Sequence, residues 1–382
     1  MKRICLFIAC MTFVKLGMPQ LIPLDSMYLG QTPPGNGPKI FKLEVTPGSF
    51  AAERIAISNN GTEIFYSEIK GYYPNSGEKI RYYKYENNKW NGSFILFDGF
   101  SGPALSLTND TLFMECEFKT YYSVRQNSKW SQPSLFMPSI DSAHYLQVTN
   151  KKNYYVSARS KSSVGLSDWS RVDVKGKDTI AVSLGFSINR VVDDLDFYID
   201  KDESYIITCP MGPIGISFPN KTKEKWSNSR FFNEKINFGI GGWGVYVSPD
   251  NKYLFYSTGT KMDYSDTYIY WVSIGNLVDS MKNTNLPPYI KNKPQPQNAI
   301  KGEMFKYTFP IDAVCDDDGK TVTYEALLID GNPLPSWLMF DTKTNTLSGT
   351  PDESGKVALR INAYDDKKEM TAFRFIINVS DK

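Results

Sequence analysis

Apolar and polar residues alternate in short runs over the first three quarters of the chain, and these runs repeat. The clearest copies are AISNNGTEIFYSE from Ala56, YIDKDESYIITC from Tyr198 and VYVSPDNKYLFYST from Val245, and fainter copies begin at Ala104 and Tyr145. Each copy contains a short strand, a polar turn and a second strand, because alternation with a period of two places alternate side chains on one face of a strand. The repetition predicts an array of similar supersecondary units.

The copies align on the first large apolar residue after each turn, which recurs every 43 to 51 residues. A Trp in a polar context follows in phase, so one unit has four short strands, which is typical of a β-propeller blade. Five units predict a five-bladed propeller, with six blades as the alternative. The segment KIFKLEV from Lys39 would supply the closing strand of the last blade, because a ring closed by both ends leaves no exposed sheet edge. The aligned apolar residues are Ile64, Leu112, Tyr155, Ile206 and Leu254, and the Trp residues are Trp90, Trp130, Trp169 and Trp226.

The array stops near Asn276, and the chain then changes character. The following segment is dense in Pro, Asn and Lys, which predicts a linker. From Lys301 onward, short alternating strands separated by turn residues predict a β-sandwich. The sequence therefore predicts an all-β protein with a propeller over residues 27–280, a linker over 281–286 and a sandwich over 287–382.

The repeat resembles the WD40-like β-propeller repeat of TolB-like periplasmic and surface proteins. The residues that carry the resemblance are SPDNKYLFY from Ser248 and SNNGTEIFY from Ser58, together with the Lys-Trp-Ser turns at Trp130 and Trp226. The family's usual phrase is Ser-Pro-Asp-Gly-Lys followed by an apolar strand, and only the fifth unit keeps Ser-Pro-Asp. The resemblance implies a propeller fold and says little about function.

The C-terminal segment resembles the dystroglycan-type cadherin-like domain, also described as a putative Ig domain. The resemblance rests on DDDGKTVTYEA from Asp316, LPSWLMFDTKTNTLSGTP from Leu334 and INAYDD from Ile361. It implies a sandwich in which Trp337 and Leu338 enter the core. It also implies a turn between strands that is shaped by Gly349 and Pro351.

The N-terminus has the pattern of a secretory signal peptide over residues 1–20. Two basic residues precede an apolar stretch from Ile4 to Val14, which is too short to span a bilayer. One interpretation is cleavage near residues 17–20. The other is lipid attachment at Cys10, because the preceding residues loosely resemble a bacterial lipobox. Both predict a secreted, periplasmic or cell-surface bacterial protein, and no later segment has the apolar length of a transmembrane helix.

Charge and cysteine usage exclude several classes of function. The net charge is only +2, with 43 basic and 41 acidic residues, so the composition does not predict binding to nucleic acid. Outside the predicted signal the cysteines are Cys116, Cys209 and Cys315, whose number and spacing fit neither a disulfide framework nor a CxxC metal motif. Cys116 and Cys209 are predicted to be small buried residues in strands.

Calcium is the ligand that the sequence supports best. Three carboxylates precede one predicted strand and two follow another, and oxygen-rich loops of this kind suit a hard cation. In the resembling family such acidic loops can bind calcium between modules, although Lys320 stands where an Asp often closes the motif. The alternative is a solvated turn in which the Asp side chains cap the backbone. The candidate ligands are Asp316, Asp317, Asp318, Asp365 and Asp366.

Three other features have simple structural explanations. The run from Gly239 to Gly244 matches G-x-G-x-x-G, but a strand-like VYVS follows it, so a loop with closely packed backbone is predicted in place of a dinucleotide site. The acidic run at Asp193, Asp194 and Asp196 is predicted to be a solvated loop. His144 is the only histidine, and it is predicted to lie at a strand edge or in a loop.

These observations favour a binding protein over an enzyme. The predicted function is binding. A rigid propeller, joined to a cadherin-like module, would present loops to a protein or glycan of the cell envelope or extracellular space. Packing within the sheets is the favoured interpretation of the tyrosines, and stacking on sugars or a partner is the alternative. These tyrosines are Tyr72, Tyr73, Tyr82, Tyr83, Tyr121 and Tyr122. The alternative function is a propeller hydrolase or lyase acting on polysaccharide, which requires carboxylates and Arg around the central channel.

Overall fold

The structure is a computed structural model that describes most of the chain. The described residues are 22–72, 76–140, 142–175, 178–190, 192–209, 212–220, 225–282, 284–316 and 321–381. The protein is all-β, with 48% of residues in strands and 4% in helices. The predicted signal peptide, with Cys10, lies outside the described residues.

The N-terminal region contains five successive antiparallel sheets, four with four strands and one with five, and each repeat supplies the first two strands of one sheet. The five apolar residues that define the repeat all lie in second strands and are buried, with exposures of 0–4%. A buried apolar residue at the same point of each unit explains why the phrase recurs, since each sheet packs its faces against its neighbours. The aligned residues are Ile64 in β3, Leu112 in β7, Tyr155 in β12, Ile206 in β16 and Leu254 in β22.

The strands of this region are β1 (Lys39–Ile40), β2 (Phe50–Ile57), β3 (Glu63–Ile69), β4 (Lys79–Glu86), β5 (Lys89–Asp98), β6 (Ser101–Leu105), β7 (Thr111–Cys116), β8 (Lys119–Gln126), β9 (Lys129–Trp130), β10 (Ser134–Leu135), β11 (His144–Val148), β12 (Tyr154–Ala158), β13 (Asp168–Lys175), β14 (Asp178–Ser183), β15 (Asp196–Ile199), β16 (Ile206–Cys209), β17 (Gly215–Ser217), β18 (Pro219–Asn220), β19 (Lys225–Trp226), β20 (Arg230–Phe231), β21 (Trp243–Val247), β22 (Tyr253–Thr258) and β23 (Tyr268–Ser273). A 3-10 helix (Leu24–Gly30) precedes them, and helix α1 (Gly275–Lys282) follows them.

The first strands of the five sheets contact one another in cyclic order. Strand β2 packs against β6, β6 against β11, β11 against β15, β15 against β21, and β21 against β2. Strand β1 pairs antiparallel with β23, so the N-terminal segment completes the sheet that the C-terminal end of this region begins. The predicted closing role of KIFKLEV is therefore confirmed.

Four of the five first strands carry a β-bulge near the point where the sheets converge. Their pairing registers shift around Glu53, Gly102, Tyr145 and Gly244, and these residues have φ values of 61°, 60°, 51° and 61°. A bulge redirects the side chains beside it. Left-handed backbone is disfavoured for Glu and Tyr, so the surrounding contacts must hold Glu53 and Tyr145 in place.

The C-terminal module has a second core of its own between two sheets. One sheet has the order β25-β32-β31-β28, in which β25 and β32 are parallel, and the other has the order β26-β30-β29. Leu338 is buried in this core and Trp337 packs against it, as predicted. A side chain at Gly349 would overlap the Trp337 carbonyl oxygen, at 1.7 Å from an added Cβ, so the close strand approach requires glycine. The strands are β24 (Tyr289–Ile290), β25 (Gln297–Ile300), β26 (Phe305–Thr308), β27 (Val314–Cys315), β28 (Thr323–Leu328), β29 (Leu338–Asp341), β30 (Thr346–Gly349), β31 (Gly355–Tyr364) and β32 (Met370–Ser380).

The segment between the two regions is tied to strand β20. The Arg230 guanidinium donates to the backbone carbonyls of Thr284 and Asn285, and the Asn228 amide donates to the carbonyl of Pro288 at 3.1 Å. These bonds connect side chains of the fourth repeat region to the start of the C-terminal module. Within the described part of the chain, helices are all shorter or more polar than a membrane span requires.

Candidate functional site

The acidic loops of the C-terminal module meet at one end of the sandwich. One carboxylate oxygen from each of Asp316, Asp365 and Asp366 lies within 4.8 Å of the other two. Asp316 follows strand β27, whereas Asp365 and Asp366 follow β31, so the fold unites two loops that are far apart in sequence. Asp317 and Asp318 lie outside the described residues.

Asp365 is also the cap of its own turn. It is 2% exposed, and its Oδ1 accepts hydrogen bonds from the backbone N–H groups of Lys367 and Glu369, both at 2.8 Å. The capping role that was weighed as the alternative is therefore present at Asp365. Capping uses Oδ1, while Oδ2 accepts a hydrogen bond from the Asn285 amide at 2.5 Å.

The donor set has the chemistry that calcium requires. Calcium binds six to eight oxygen atoms, and these three carboxylates supply part of that number, with backbone oxygens and water available for the remainder. Asp366 is exposed, and Asp316 is half-buried, so the group is open to solvent. The ammonium of Lys367 binds the Asn285 side-chain oxygen at 2.9 Å, which places one cation beside the group.

A second charged cluster lies where the first strands of the N-terminal sheets converge. His144, the first residue of β11, forms ion-pair contacts on both sides of its ring. Its Nδ1 lies 2.5 Å from Oε2 of Glu115, and its Nε2 lies 3.1 Å from Oδ1 of Asp196. Burial lowers the pKa of His144, but the two carboxylates outweigh this effect and raise the pKa to about 10. The imidazole is therefore a cation at neutral pH.

The carboxylates of this cluster also bind backbone and phenol groups. Asp196 Oδ2 accepts the N–H of Gly244 at 2.6 Å, and Glu115 accepts the N–H of Tyr145. Glu53 accepts hydrogen bonds from the hydroxyls of Tyr72, at 2.6 Å, and Tyr145. Burial and the charge of Asp196 raise the pKa of Glu53 to about 7. The bulges at Gly244 and Tyr145 therefore position N–H donors for buried acids.

One prediction about these residues is wrong. Asp194 and Asp196 are not in a solvated loop, because they are 0% and 7% exposed. Asp194 accepts hydrogen bonds from the backbone N–H and the side chain of Arg190, and burial raises its pKa to about 7. His144 begins β11, the terminal strand of its sheet, so its predicted position at a strand edge is confirmed, although buried charges surround it. Only its uniqueness marked it in the sequence, and the partner Glu115 carried no signal because the two residues lie in successive repeats, and the alternation within a repeat does not report contacts between sheets.

The cluster contains the carboxylates and the Arg that the hydrolase alternative requires, but it is arranged as an internal network. Glu115 and Asp196 are 6% and 7% exposed, and both bind His144 and a backbone N–H. Arg54, beside them, is 1% exposed. Since these carboxylates are engaged with groups of the protein itself, the geometry does not favour glycoside hydrolysis at this point.

The glycine-rich run precedes strand β21 and serves close packing, as predicted. A Cβ at Gly239 would lie 2.1 Å from Oγ1 of Thr258, and a Cβ at Gly244 would lie 2.0 Å from the carbonyl oxygen of Glu53. A strand follows the run, so the helix N-terminus that a dinucleotide site requires is missing at this position. Of the predicted buried cysteines, Cys209 is buried and Cys116 is half-buried.

A cavity with a volume of about 590 Å³ lies at the seam between the fifth and first sheets. The segment after β1, the start of β2 and the start of β23 surround it. Aromatic rings of Phe50, Tyr72 and Tyr268 line it, and Tyr268 is 45% exposed. Polar and charged side chains also line it, namely Lys42, Ser49, Lys70, Asp263, Ser265 and Thr267.

Tyr72 is fixed in position at this cavity. Its ring packs against Phe50, Trp243 and Tyr264 at centroid distances of 5.1–5.8 Å, and Trp243 Nε1 donates to its hydroxyl at 2.6 Å. The other described tyrosines that were weighed as stacking platforms pack inside the sheets: Tyr82 on Phe65, Tyr83 on Tyr66, Tyr121 on Phe100 and Tyr122 on Phe136. Tyr73 lies outside the described residues.

Comparison with known proteins identifies the C-terminal module. Residues 287–380 match the model of a family described as "Putative Ig domain". The protein thus has an Ig-like domain at the predicted position. A search of the curated proteins finds no match to the chain.

Solved structures with partial likeness come from several kinds of bacterial protein. A putative alpha-galactosidase from Bacteroides fragilis has 18% identity and a TM-score of 0.20, and the matched part covers 24% of this chain and 17% of that protein. TolB from Acinetobacter baumannii has 11% identity and a TM-score of 0.37, with 57% and 53% of the two chains covered. The extracellular domain of a putative hybrid two component system from B. thetaiotaomicron has 10% identity and a TM-score of 0.33, with 92% and 58% covered. With TM-scores this low, none of these likenesses carries an argument about function.

Proposed function

We propose that the protein is an extracellular or envelope-associated binding protein whose N-terminal region binds glycans through the cavity at the seam. In this proposal the five sheets are the blades of a five-bladed propeller, an interpretation supported by the cyclic contacts of their first strands and by the closing strand β1. The Ig-like domain serves as a second module beside it. The predicted signal peptide supports the location.

The observation that carries the proposal is the composition of the seam cavity. Its volume of about 590 Å³ is in the range of small-molecule sites. An aromatic ring offers a face to the C–H groups of a sugar, and Tyr268 presents such a ring at the surface. Charged and hydroxyl side chains of Lys42, Lys70 and Ser265 are available to bind sugar hydroxyls in the same cavity.

A glycan array with the full chain tests this proposal. We expect Tyr268→Ala to weaken binding to the best glycan about tenfold, since one aromatic contact contributes about 1 kcal/mol and its apolar area adds to that. Phe94→Ala is the matched control, because Phe94 is 47% exposed on strand β5 and does not line the cavity.

Two outcomes would reject glycan binding at the seam. One is that the array retains no glycan at all. The other is that Phe94→Ala weakens binding as much as Tyr268→Ala, which would place the site elsewhere or indicate a general loss of folding.

We also propose that the Ig-like domain binds calcium through Asp316, Asp365 and Asp366. The support is the convergence of three carboxylate oxygens from two separate loops. Asn285, which binds Asp365, belongs to the segment tied to Arg230. A bound ion would therefore stiffen the connection between the two regions as well as the loops.

Thermal unfolding of the full chain in millimolar calcium and in chelator tests this second proposal. A ligand that binds only the folded state raises the melting temperature of the part that holds it. An identical melting temperature in the two buffers would contradict calcium binding. Magnesium at the same concentration is the control for general ionic effects, because it accepts this open, irregular donor set less readily.

A further inference from the structure

A small cavity lies between the first strands of all five N-terminal sheets, and its lining residues differ from those of the seam cavity. Its volume is about 60 Å³. Each first strand or the residues directly after it contribute to the lining, which comprises Arg54, Ile57, Asn59, Ala104, Leu105, Ser106, Leu107, Gln147, Val148, Tyr198, Ile199, Lys201, Tyr246 and Val247. The space holds a few water molecules or one group of the size of a carboxylate with a short apolar stem.

Arg54 lies at the inner end of this cavity with part of its hydrogen-bonding capacity unused. It is 1% exposed, and its Nη2 donates to the carbonyl of Phe197 at 2.5 Å. Its guanidinium carbon lies 4.2 Å from the centroid of the Tyr145 ring. Among the described residues, Nε and Nη1 have no hydrogen-bond partner. Since buried donors without an acceptor are costly, an acceptor from outside the described chain fits here.

The nearby carboxylates do not fill this role. Glu115 and Asp196 influence the pKa of Arg54, but their oxygens bind His144 and backbone N–H groups. The positive charge of His144 lies between them and compensates them. The guanidinium is thus left facing the cavity without a direct acid partner.

The lining of the cavity has only positive charge. Arg54 and Lys201 are basic, and no acidic residue lies among the residues that surround it. Lys201 donates to the side-chain oxygen of the exposed Asn59 at the mouth. The remaining lining is mostly apolar. A singly charged anion with an apolar stem matches this combination better than a doubly charged phosphate does, because only one buried cation is available to compensate it.

We propose that this central cavity binds a carboxylate, which enters past Lys201 and accepts hydrogen bonds from Arg54. The carboxylate belongs either to a free short-chain organic acid or to the C-terminus or an acidic side chain of a polypeptide. Charge-assisted hydrogen bonds to a guanidinium supply the specificity, and the apolar lining accommodates the stem. The site is separate from the seam cavity, so it stands or falls independently of glycan binding.

Calorimetric titration of the full chain distinguishes these possibilities. We expect propionate to bind and propionamide, its neutral isostere, not to bind. A short peptide with a free C-terminus and the same peptide with a C-terminal amide form the second pair of probes. Tighter binding of the free peptide than of propionate would identify a polypeptide as the source of the carboxylate, whereas binding of propionate alone would identify a free acid.

Variants locate the binding. We expect Lys201→Met to weaken carboxylate binding about tenfold, and Arg54→Gln to weaken it by about a hundredfold, because hydrogen bonds to charged groups contribute about 1.5–3 kcal/mol. Arg171→Met is the control, since Arg171 is a half-exposed cation on β13 that does not line the cavity. If Arg54→Gln loses its folded circular dichroism signal, Lys201→Met decides the question. Absence of binding by every acid, equal binding of amides, or unchanged affinity in the Lys201 variant overturns the proposal and leaves water as the occupant.

Discussion

Within the described residues, two groups of three carboxylates differ in how their negative charge is compensated. In the N-terminal region Glu53, Glu115 and Asp196 lie near the convergence of the sheets, and Glu115 and Asp196 share the cation of His144. In the Ig-like domain three aspartates converge at the ends of β27 and β31. Asp366 is exposed, Asp316 is half-buried and Asp365 is buried, and the neighbouring cation, Lys367, binds Asn285.

The difference shows how burial changes the role of a group of carboxylates. Buried carboxylates require compensation in every folded molecule, and His144 and the N–H groups at the bulges supply it from within the chain. Solvent-exposed carboxylates can remain charged because water solvates them. The exposed Asp366 keeps a carboxylate accessible to an external cation, which supports our proposal that calcium binds the Ig-like domain, whereas His144 has an internal structural role.

Replacement of His144 by Asn should produce the largest effect. The change leaves Glu115 and Asp196 buried without their shared cation, and breaking a buried pair in this way costs about 3–5 kcal/mol. Urea unfolding of the full chain measures the difference in the free energy of unfolding. The matched control is Lys151→Met, which removes an exposed cation from Glu203 and should cost less than about 1 kcal/mol.

A loss in His144→Asn as small as that in the control would contradict the proposed compensation. It would mean that the two carboxylates take up protons or water in the folded state at little cost. The comparison between the two regions would then have no energetic basis.

The pH dependence of stability should be the next largest effect. The pKa of Glu53 is raised from near 4.5 to about 7, so its contribution is fully present below pH 4.5 and is lost as the pH rises through 7. The raised pKa of Asp194 acts in the same direction. The raised pKa of His144 extends the loss of stability to higher pH. Its contribution to the free energy of unfolding is fully present below pH 6.5 and is lost as the pH rises through about 10.

Glu53→Gln isolates the first of these contributions. We expect the free energy of unfolding of the wild type to fall by on the order of 2–3 kcal/mol between pH 4.5 and 7 because of this residue. The variant should show a shallower slope over the same range, with the remainder due to Asp194. A variant with the wild-type slope would indicate that Glu53 is ionised in the folded protein.

The fold could be predicted from the sequence because its signals are local. Ile64, Leu112 and Leu254 follow polar turns at regular spacing, and each becomes a buried residue in a second strand because neighbouring strands in chain order also pair in space. The tryptophans were a weaker guide. Trp130 and Trp226 end the two-residue strands β9 and β19, and Trp90 is the second residue of the long strand β5. Trp169, in contrast, is a buried residue in the third strand of its sheet.

The charged cluster could not be predicted because its members come from different repeats. Glu115 lies in β7, His144 in β11 and Asp196 in β15, and only the cyclic packing of sheets brings them together. The acidic group of the Ig-like domain was found because the resemblance marked both loops. The sequence shows where charged residues lie but not whether they are buried. The aspartates near Asp196 were therefore predicted to be solvated, and those near Asp316 to bind a metal, and burial decides which interpretation applies.

Calcium should have a smaller effect on stability than either of these changes in the N-terminal region. At ten to a hundred times the dissociation constant, a single ion adds about 1–3 kcal/mol to the free energy of unfolding. We expect Asp316→Asn to abolish the calcium-dependent increase in melting temperature, because it removes the ligand from the second loop. Glu203→Gln, a carboxylate in the N-terminal region, is the control and should leave the increase intact. A persistent increase in Asp316→Asn would place the ion elsewhere.

The smallest effect is expected from Asp366→Asn in the presence of chelator. Without a cation, three carboxylates within 4.8 Å repel one another, and Asp366 is the exposed member of the group. Removing its charge should therefore raise the melting temperature slightly, by about 1–2 °C. Salt should produce a similar rise in the wild type and a smaller rise in the variant, since exposed charges are screened over about 10 Å at 0.1 M.

Replacement of the buried Glu115 by Gln should lower the melting temperature in the same buffer, because it leaves His144 with one partner. A fall in both variants would mean that Asp366 is compensated within the chain, as Glu115 is, and the two groups of acids would no longer differ in kind.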